Sequence, residues 1–361
     1  MFFADRKKKA QALVKSADAD ALLITHLPDV RYLCGFTGSN AALAFYGRRV
    51  VLFTDGRYTT QARQEAVGAR VVIAKKSALR EACAWLETAG ATRCGFDAGH
   101  TTVAALDAMR EMVSGKLRRR FFLPLQSPIA KIREVKDAGE IALMRESALL
   151  GCRLYEHILG FIAAGISETA VAAELEYAAR LAGAEAMSFD TIVASGLRSA
   201  LPHGHATGAR LPRNGFLTLD FGVILNGYCS DMTRTVYLGR ASETERGVYD
   251  AVLAAQEAAV AAVAPGATCG DVDEAARSVL RQAKLDRWFT HSTGHGVGLE
   301  IHEGPRIAAA QQQKLEPGMV ITIEPGVYME GKFGIRIEDM VLVTATGHEV
   351  LTPAPKAWTT L

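Results

Sequence analysis

The chain has 361 residues, 49% of them hydrophobic and 22% charged, which is too long for one ordinary core and too apolar for disorder. Its 41 basic and 39 acidic residues leave a formal charge of +2, so nothing draws the whole chain to nucleic acid or anionic lipid. No run of about 20 apolar residues offers a membrane span, and Lys15, Asp18 and Asp20 break the stretch that a secretory signal would need.

Up to about residue 126, short apolar runs alternate with helical stretches. Ala21–Thr25, Val50–Thr54, Val71–Ala74 and Cys94–Phe96 read as strands, and Arg57–Val67, Ser77–Ala89 and Thr102–Val113 as helices. Strands alternating with helices predict an α/β domain with a mixed or parallel sheet. Leu123-Pro-Leu-Gln-Ser-Pro128 then punctuates the chain, which divides it into domains of residues 1–126 and 127–361. Beyond that boundary a helix is expected from about Lys136 towards Ala163 and another from Ser167 to Ala182. A third opens at Ser242 with Glu245 completing a capping box, and a fourth at Thr268 with Asp271 three residues on. Hairpins at 216–237 and 319–343 make this domain α+β. The six cysteines form no C-x-x-C pair and no zinc-finger spacing, so they read as free thiols in a reducing, cytoplasmic compartment.

Acidic residues inside the apolar strands carry the chemistry. Leu217-Thr-Leu-Asp220 and Cys229-Ser-Asp231 flank the turn Leu225-Asn-Gly-Tyr228. If the turn centres between Leu225 and Asn226, Asp220 and Asp231 face each other. If it centres one residue later they are diagonal neighbours. Either way they lie roughly 5 to 8 Å apart. Val320-Ile-Thr-Ile-Glu324 and Gly334-Ile-Arg336-Ile-Glu338 offer a second pair on a second hairpin. Buried carboxylates repel unless a cation lies between them. Four carboxylates, with the imidazole of His295 from Gly294-His-Gly296, balance two divalent ions and suit Mn²⁺ better than a thiolate-rich zinc site would. Two such ions can share a hydroxide that is nucleophilic at neutral pH.

The strings TLDFG, CSDMTRT, STGHGVGLEIHEGPR, TIEPGVY and RIED, in this order, closely resemble those of the pita-bread metallopeptidases, within them the prolidase and aminopeptidase P branch. The resemblance covers the second half. It implies an α/β amino-terminal domain joined to an α+β pita-bread (creatinase/aminopeptidase-like) catalytic domain. It implies a dinuclear-metal exopeptidase that cleaves the Xaa-Pro bond, with Mn²⁺ first and Co²⁺ or Zn²⁺ as alternatives. Asp231 and Glu338 would bridge both ions, Asp220 would complete one, and His295 and Glu324 the other. Glu324 resembles the family's general base or acid. His203, which follows Pro202, and His302 take the places of the two substrate histidines, while His205 reads as a surface or supporting group. Arg336 is expected to contact either the carboxylates or the substrate, His291 to contact the substrate or to support the site, and Thr233 to support it. Arg306 stands where small prolidases hold the free carboxylate of a dipeptide, on a loop at the cleft, or else pairs with an acid such as Glu303. The expected substrate is a proline-containing di- or oligopeptide, with dipeptides slightly favoured, and the expected assembly a homodimer. A methionine aminopeptidase is disfavoured by the additional amino-terminal domain and by PHG and HEGPR. A metal-free creatinase-like hydrolase or a binding protein is disfavoured because all five ligand positions are filled.

Overall fold

The computed structural model describes residues 3–361, and the chain forms two compact units, the first ending at Arg133 and the second beginning at Glu134. The first unit holds a six-stranded mixed sheet in the order Arg70–Ala74, Arg49–Asp55, Ala42–Tyr46, Ala21–Ile24, Cys94–Asp97, Phe122–Leu125. The pairings of Arg49–Asp55 with Arg70–Ala74, Ala21–Ile24 with Cys94–Asp97 and Cys94–Asp97 with Phe122–Leu125 are parallel, and the two pairings made by Ala42–Tyr46 are antiparallel. Two of these strands were not expected. Ala42–Tyr46 is a run of small and aromatic residues turned back onto Arg49 at Gly47, whose φ is 58°. Phe122–Leu125 contains Pro124, which reads as punctuation, but at the edge of a sheet a missing N–H costs no ladder bond. The unit therefore runs past the expected boundary at 126. Its last residue, Arg133, is buried and bound to Asp29 at 2.7 Å.

The second unit repeats one arrangement twice, a helix pair followed by antiparallel strands. The helices are Ala138–Leu159, Glu168–Leu181, Glu243–Ala262 and Cys269–Gln282. Asp137 with Glu140, Ser242 with Glu245, and Thr268 with Asp271 form reciprocal capping boxes, and Ser167 caps the remaining helix through the Ala170 N–H. Leu150, Leu154, Ile158, Val171 and Leu175 of the first pair pack against Val193, Leu217, Leu219 and Val236. Val248, Val252, Ala259, Val272 and Leu280 of the second pack against Ile321, Ile323, Val327, Ile335 and Val341. Strand residues alternate in direction. With Leu217 and Leu219 committed to a helix layer, Thr218 and Asp220 point the other way, towards the second hairpin. Among the described residues no helix is long and apolar enough to cross a membrane. All six cysteines are free and buried.

Candidate active site

Strand register decides where the acids meet. Asn226 and Gly227 both have positive φ, 51° and 81°, and Leu225 pairs with Tyr228 around them. This is the two-residue turn that Asn-Gly favours. It sets the later of the two registers left open by the sequence, in which Asp220 pairs with Thr233 and Asp231 lies diagonal to it. The strands close tightly between the two acids, because a Cβ at Gly222 would stand 1.7 Å from the Ser230 carbonyl oxygen.

Glu324 and Glu338 lie where the second hairpin interrupts its own ladder. Ile323 pairs with Asp339 and Gly326 with Arg336. Between those pairs the backbone bonds leave the hairpin. The Glu324 N–H donates to the Thr293 carbonyl at 2.7 Å and the Glu338 N–H to the Thr233 carbonyl at 3.1 Å. Each glutamate is thus tied to a segment carrying another acid or histidine of the cluster. His295 sits on Gly294–Gly296, and its flanking glycines are required sterically. A Cβ at Gly294 would come within 1.9 Å of the Thr322 carbonyl, and one at Gly296 within 2.0 Å of the Gly304 carbonyl.

One ligating atom each from Asp231, His295 and Glu338 lies within 4.8 Å of the others. His295 Nδ1 donates to the Gly296 carbonyl at 2.9 Å. That fixes the tautomer and leaves the Nε2 lone pair 3.6 Å from Asp231 Oδ2 and 3.5 Å from Glu324 Oε1. Burial lowers the His295 pKa to about 4, so the ring is neutral and able to ligate. Asp220 Oδ1 is buried and has no hydrogen-bond partner. Burial, then the charges of Glu338 and Asp220, push Asp231 well above the usual carboxylate range. Burial, then Glu324 and Asp220, do the same to Glu338. Burial above all, with Asp220 adding to it against Arg336, raises Glu324 to about 8. An oxygen-rich, mutually repelling set with an orphaned carboxylate oxygen and a waiting imidazole lone pair fits divalent cations.

The raised values have a measurable consequence. A carboxylic acid with an elevated folded-state pKa stabilises the fold below its ordinary value, and that contribution is lost as pH rises through the folded value. The chelated protein is therefore expected to lose thermal stability between about pH 4.5 and pH 8, the ordinary and folded values for Glu324. The rise in Tm on adding Mn²⁺ should grow over the same interval. A Mn²⁺-induced rise that is constant from pH 5 to pH 8 would contradict this electrostatic picture.

The acids and His295 open into a cavity of about 690 Å³, which is also lined by His203, His205, His291, His302, Arg306 and Arg336. Arg336 is buried and serves the carboxylates. It binds Asp220, donates to Thr233 Oγ1 at 3.0 Å and to the Pro202 carbonyl at 3.0 Å, and reaches the Tyr328 hydroxyl at 2.6 Å. Thr233 in turn donates to Glu338 Oε2 at 2.7 Å. His291 has both ring nitrogens engaged, Nδ1 with the Ser292 carbonyl at 2.8 Å and Nε2 with the Tyr328 hydroxyl at 3.0 Å. Burial lowers its pKa to about 4, so Nδ1 donates and Nε2 accepts from Tyr328. Of the two roles open to Arg336 the structure shows contact with the carboxylates, and the His291 nitrogens face protein partners rather than the cavity space. Tyr328, which joins these two residues, received no role from the sequence, although it lies in the TIEPGVY string.

His203 and His302 are exposed, and the His302 ring stands edge-on to His295 with centroids 4.5 Å apart. His205 also lines the cavity, two residues along, and its N–H bonds the His203 carbonyl at 2.9 Å. Arg306 lies on a strand, Glu303–Ile307, rather than on a loop, and pairs with His295 across the ladder. Its guanidinium has no partner among the described residues. Glu303, the acid it could have met, is held by Lys136 at 3.2 Å. Phe189, Ile192 and Ile301 supply apolar lining that the sequence did not single out.

Residues 142–345 match the model of metallopeptidase family M24, and residues 6–135 match that of the creatinase/prolidase N-terminal domain. The chain is 33% identical over 349 residues to a Xaa-Pro dipeptidase of Pyrococcus horikoshii, covering 96% of this chain and 97% of that one. Its structure is similar to that of a Xaa-Pro dipeptidase from Bacillus anthracis, with a TM-score of 0.96 and 38% identity over 99% of this chain and 100% of that one. It is also similar to an X-Pro aminopeptidase from Thermotoga maritima, with a TM-score of 0.89 and 34% identity over 97% of this chain and 100% of that one.

Proposed function

The chain belongs to metallopeptidase family M24, and from that premise we propose that it is a metal-dependent Xaa-Pro dipeptidase with two Mn²⁺ ions. The observation that carries the metal assignment is the convergence of four carboxylates and the His295 Nε2 on one cavity. Asp231 and Glu338 would bridge the ions, with Asp220 on one and His295 and Glu324 on the other. When bound, the ions supply Lewis acidity and water made acidic enough to act at neutral pH.

The chain's own residues do the rest. Glu324 holds and returns a proton at the reacting centre, a task suited to a carboxyl group whose affinity for protons its surroundings control. His203 and His302 present imidazoles to the carbonyl oxygen of the scissile bond as it gains negative charge. Arg336 and Thr233 keep Asp220 and Glu338 in place, which preserves the geometry of the acids during turnover. Phe189, Ile192 and Ile301 offer a pyrrolidine ring an apolar surface and exclude water around it. The buried thiols favour a reducing, cytoplasmic setting. The homodimer implied by the family resemblance belongs to the same reading.

The preference for dipeptides rests on Arg306. An unpartnered guanidinium on the cavity wall can take a carboxylate through two parallel hydrogen bonds. A dipeptide ends in a carboxylate directly after proline, whereas a longer peptide continues with an amide. Arg306→Ala is expected to raise KM for Xaa-Pro at least about tenfold, the scale of a lost charge-assisted hydrogen bond, and to leave a Xaa-Pro-Yaa tripeptide nearly unchanged. The structural likeness to the Thermotoga maritima aminopeptidase supports the second reading, a Xaa-Pro aminopeptidase acting on longer chains. Better cleavage of tripeptides than dipeptides by the wild type, with no effect of the substitution on either, would decide for it.

A further inference from the structure

We propose that His26, Asp29 and Asp97 form a divalent-cation site in the amino-terminal unit, of the nitrogen-and-oxygen class that zinc takes. Topology assembles it. Ala21–Ile24 and Cys94–Asp97 are parallel neighbours with Leu23 paired to Phe96, so their carboxyl ends finish side by side. The segments leaving them carry His26 and Asp29 from one strand and Asp97 and His100 from the other. In α/β sheets this end of the strands is where ligands collect.

One ligating atom each from His26, Asp29 and Asp97 lies within 4.8 Å of the others, the same spacing as in Asp231, His295 and Glu338. Zinc holds its nitrogen and oxygen ligands at about 2.0 to 2.2 Å in a tetrahedron, which sets them roughly 3.3 to 3.6 Å apart. Side-chain shifts of up to about an ångström bring the three atoms to that spacing.

The surroundings favour a cation over a simple ion pair. Asp29 is fully buried. Its Oδ1 takes the Arg133 guanidinium at 2.7 Å. Its Oδ2 accepts no hydrogen bond, although His26 Nδ1 stands only 3.2 Å away. Asp97, also buried, is held in place by the Gly99 N–H at 2.8 Å and by His100 Nδ1 at 2.6 Å. That is the outer support a ligating carboxylate usually receives. The His100 ring lies flat on His26, centroids 3.7 Å apart and planes within 10°. His100 is partly exposed, which gives an ion a route from solvent.

The test uses the full chain and zinc itself. In a background of Asp231→Asn with Glu338→Gln, which disables the M24 cluster, dialysis against zinc followed by elemental analysis is expected to leave one equivalent bound. Adding Asp97→Asn should remove it. In the otherwise wild-type chain, Asp97→Asn should lower bound zinc by one equivalent and leave kcat/KM for a Xaa-Pro dipeptide unchanged, which separates this site from the peptidase reading. That comparison also decides the matter if the background variant does not fold. No zinc in the folded background, or zinc content unaffected by Asp97→Asn and by His26→Gln alike, would overturn the proposal.

Discussion

Asp231→Asn and Glu338→Gln are each expected to abolish metal-dependent peptide hydrolysis, with a loss of at least about 10³-fold that added Mn²⁺ does not restore. The scale exceeds the 10- to 100-fold typical of groups that only support a ligand. Each proposed bridging carboxylate serves both ions, so an amide in its place removes one negative charge from two coordination spheres at once. The geometry makes compensation difficult. Asp231 and Glu338 are both buried, and the Thr233 hydroxyl fixes one Glu338 oxygen at 2.7 Å. The same substitutions should make the metal-free fold more stable, because each removes a carboxylate raised by burial and by its neighbours' charges. Elemental analysis and thermal melts on the same preparations read both effects. An Asp231→Asn chain that turns over Xaa-Pro at the wild-type rate would sink the two-metal reading.

His203→Ala and His302→Ala are expected to keep their metal and lose roughly 10²-fold or more in kcat/KM, the scale of one lost hydrogen bond to developing negative charge. His205→Ala should cost far less. All three rings line the cavity, so position alone does not separate them. The backbone does. The His205 carbonyl accepts from Arg198 at 2.7 Å, and Arg198 is held by buried Glu168 at 3.0 Å. Residue 205 is thus an anchoring point of the segment, through its backbone, which substitution at Cβ leaves in place. His203 precedes that anchor. If His205→Ala proves the more damaging change, the assignment of the substrate histidine is displaced by two residues.

The features of this molecule that were legible in sequence are those with local signals. The capping boxes at Ser242 and Thr268 open helices at the expected residues because both partners lie within one turn. Asp220, Asp231, Glu324 and Glu338 were recognisable because charged residues in apolar strands require a partner. The register between Asp220 and Asp231 remained open, and the φ values of Asn226 and Gly227 resolve it, which the Asn-Gly preference could have indicated. Long-range packing was not legible. Tyr328 meets Arg336 and His291 only after two segments fold together. Arg306 was expected on a loop at the cleft, yet it lies within a strand and pairs with His295. The cluster of His26, Asp29 and Asp97 has no spacing motif, since a parallel strand pairing joins residues about 70 positions apart.

The most direct test of the account is a metal titration of the chelated wild-type chain, assayed against a Xaa-Pro dipeptide. Two equivalents of Mn²⁺ per catalytic cluster should restore hydrolysis to its plateau, and hydrolysis of the bond before proline should exceed that of an otherwise identical dipeptide lacking proline. Full hydrolysis by the chelated chain, or restored activity with no preference for proline, would contradict it.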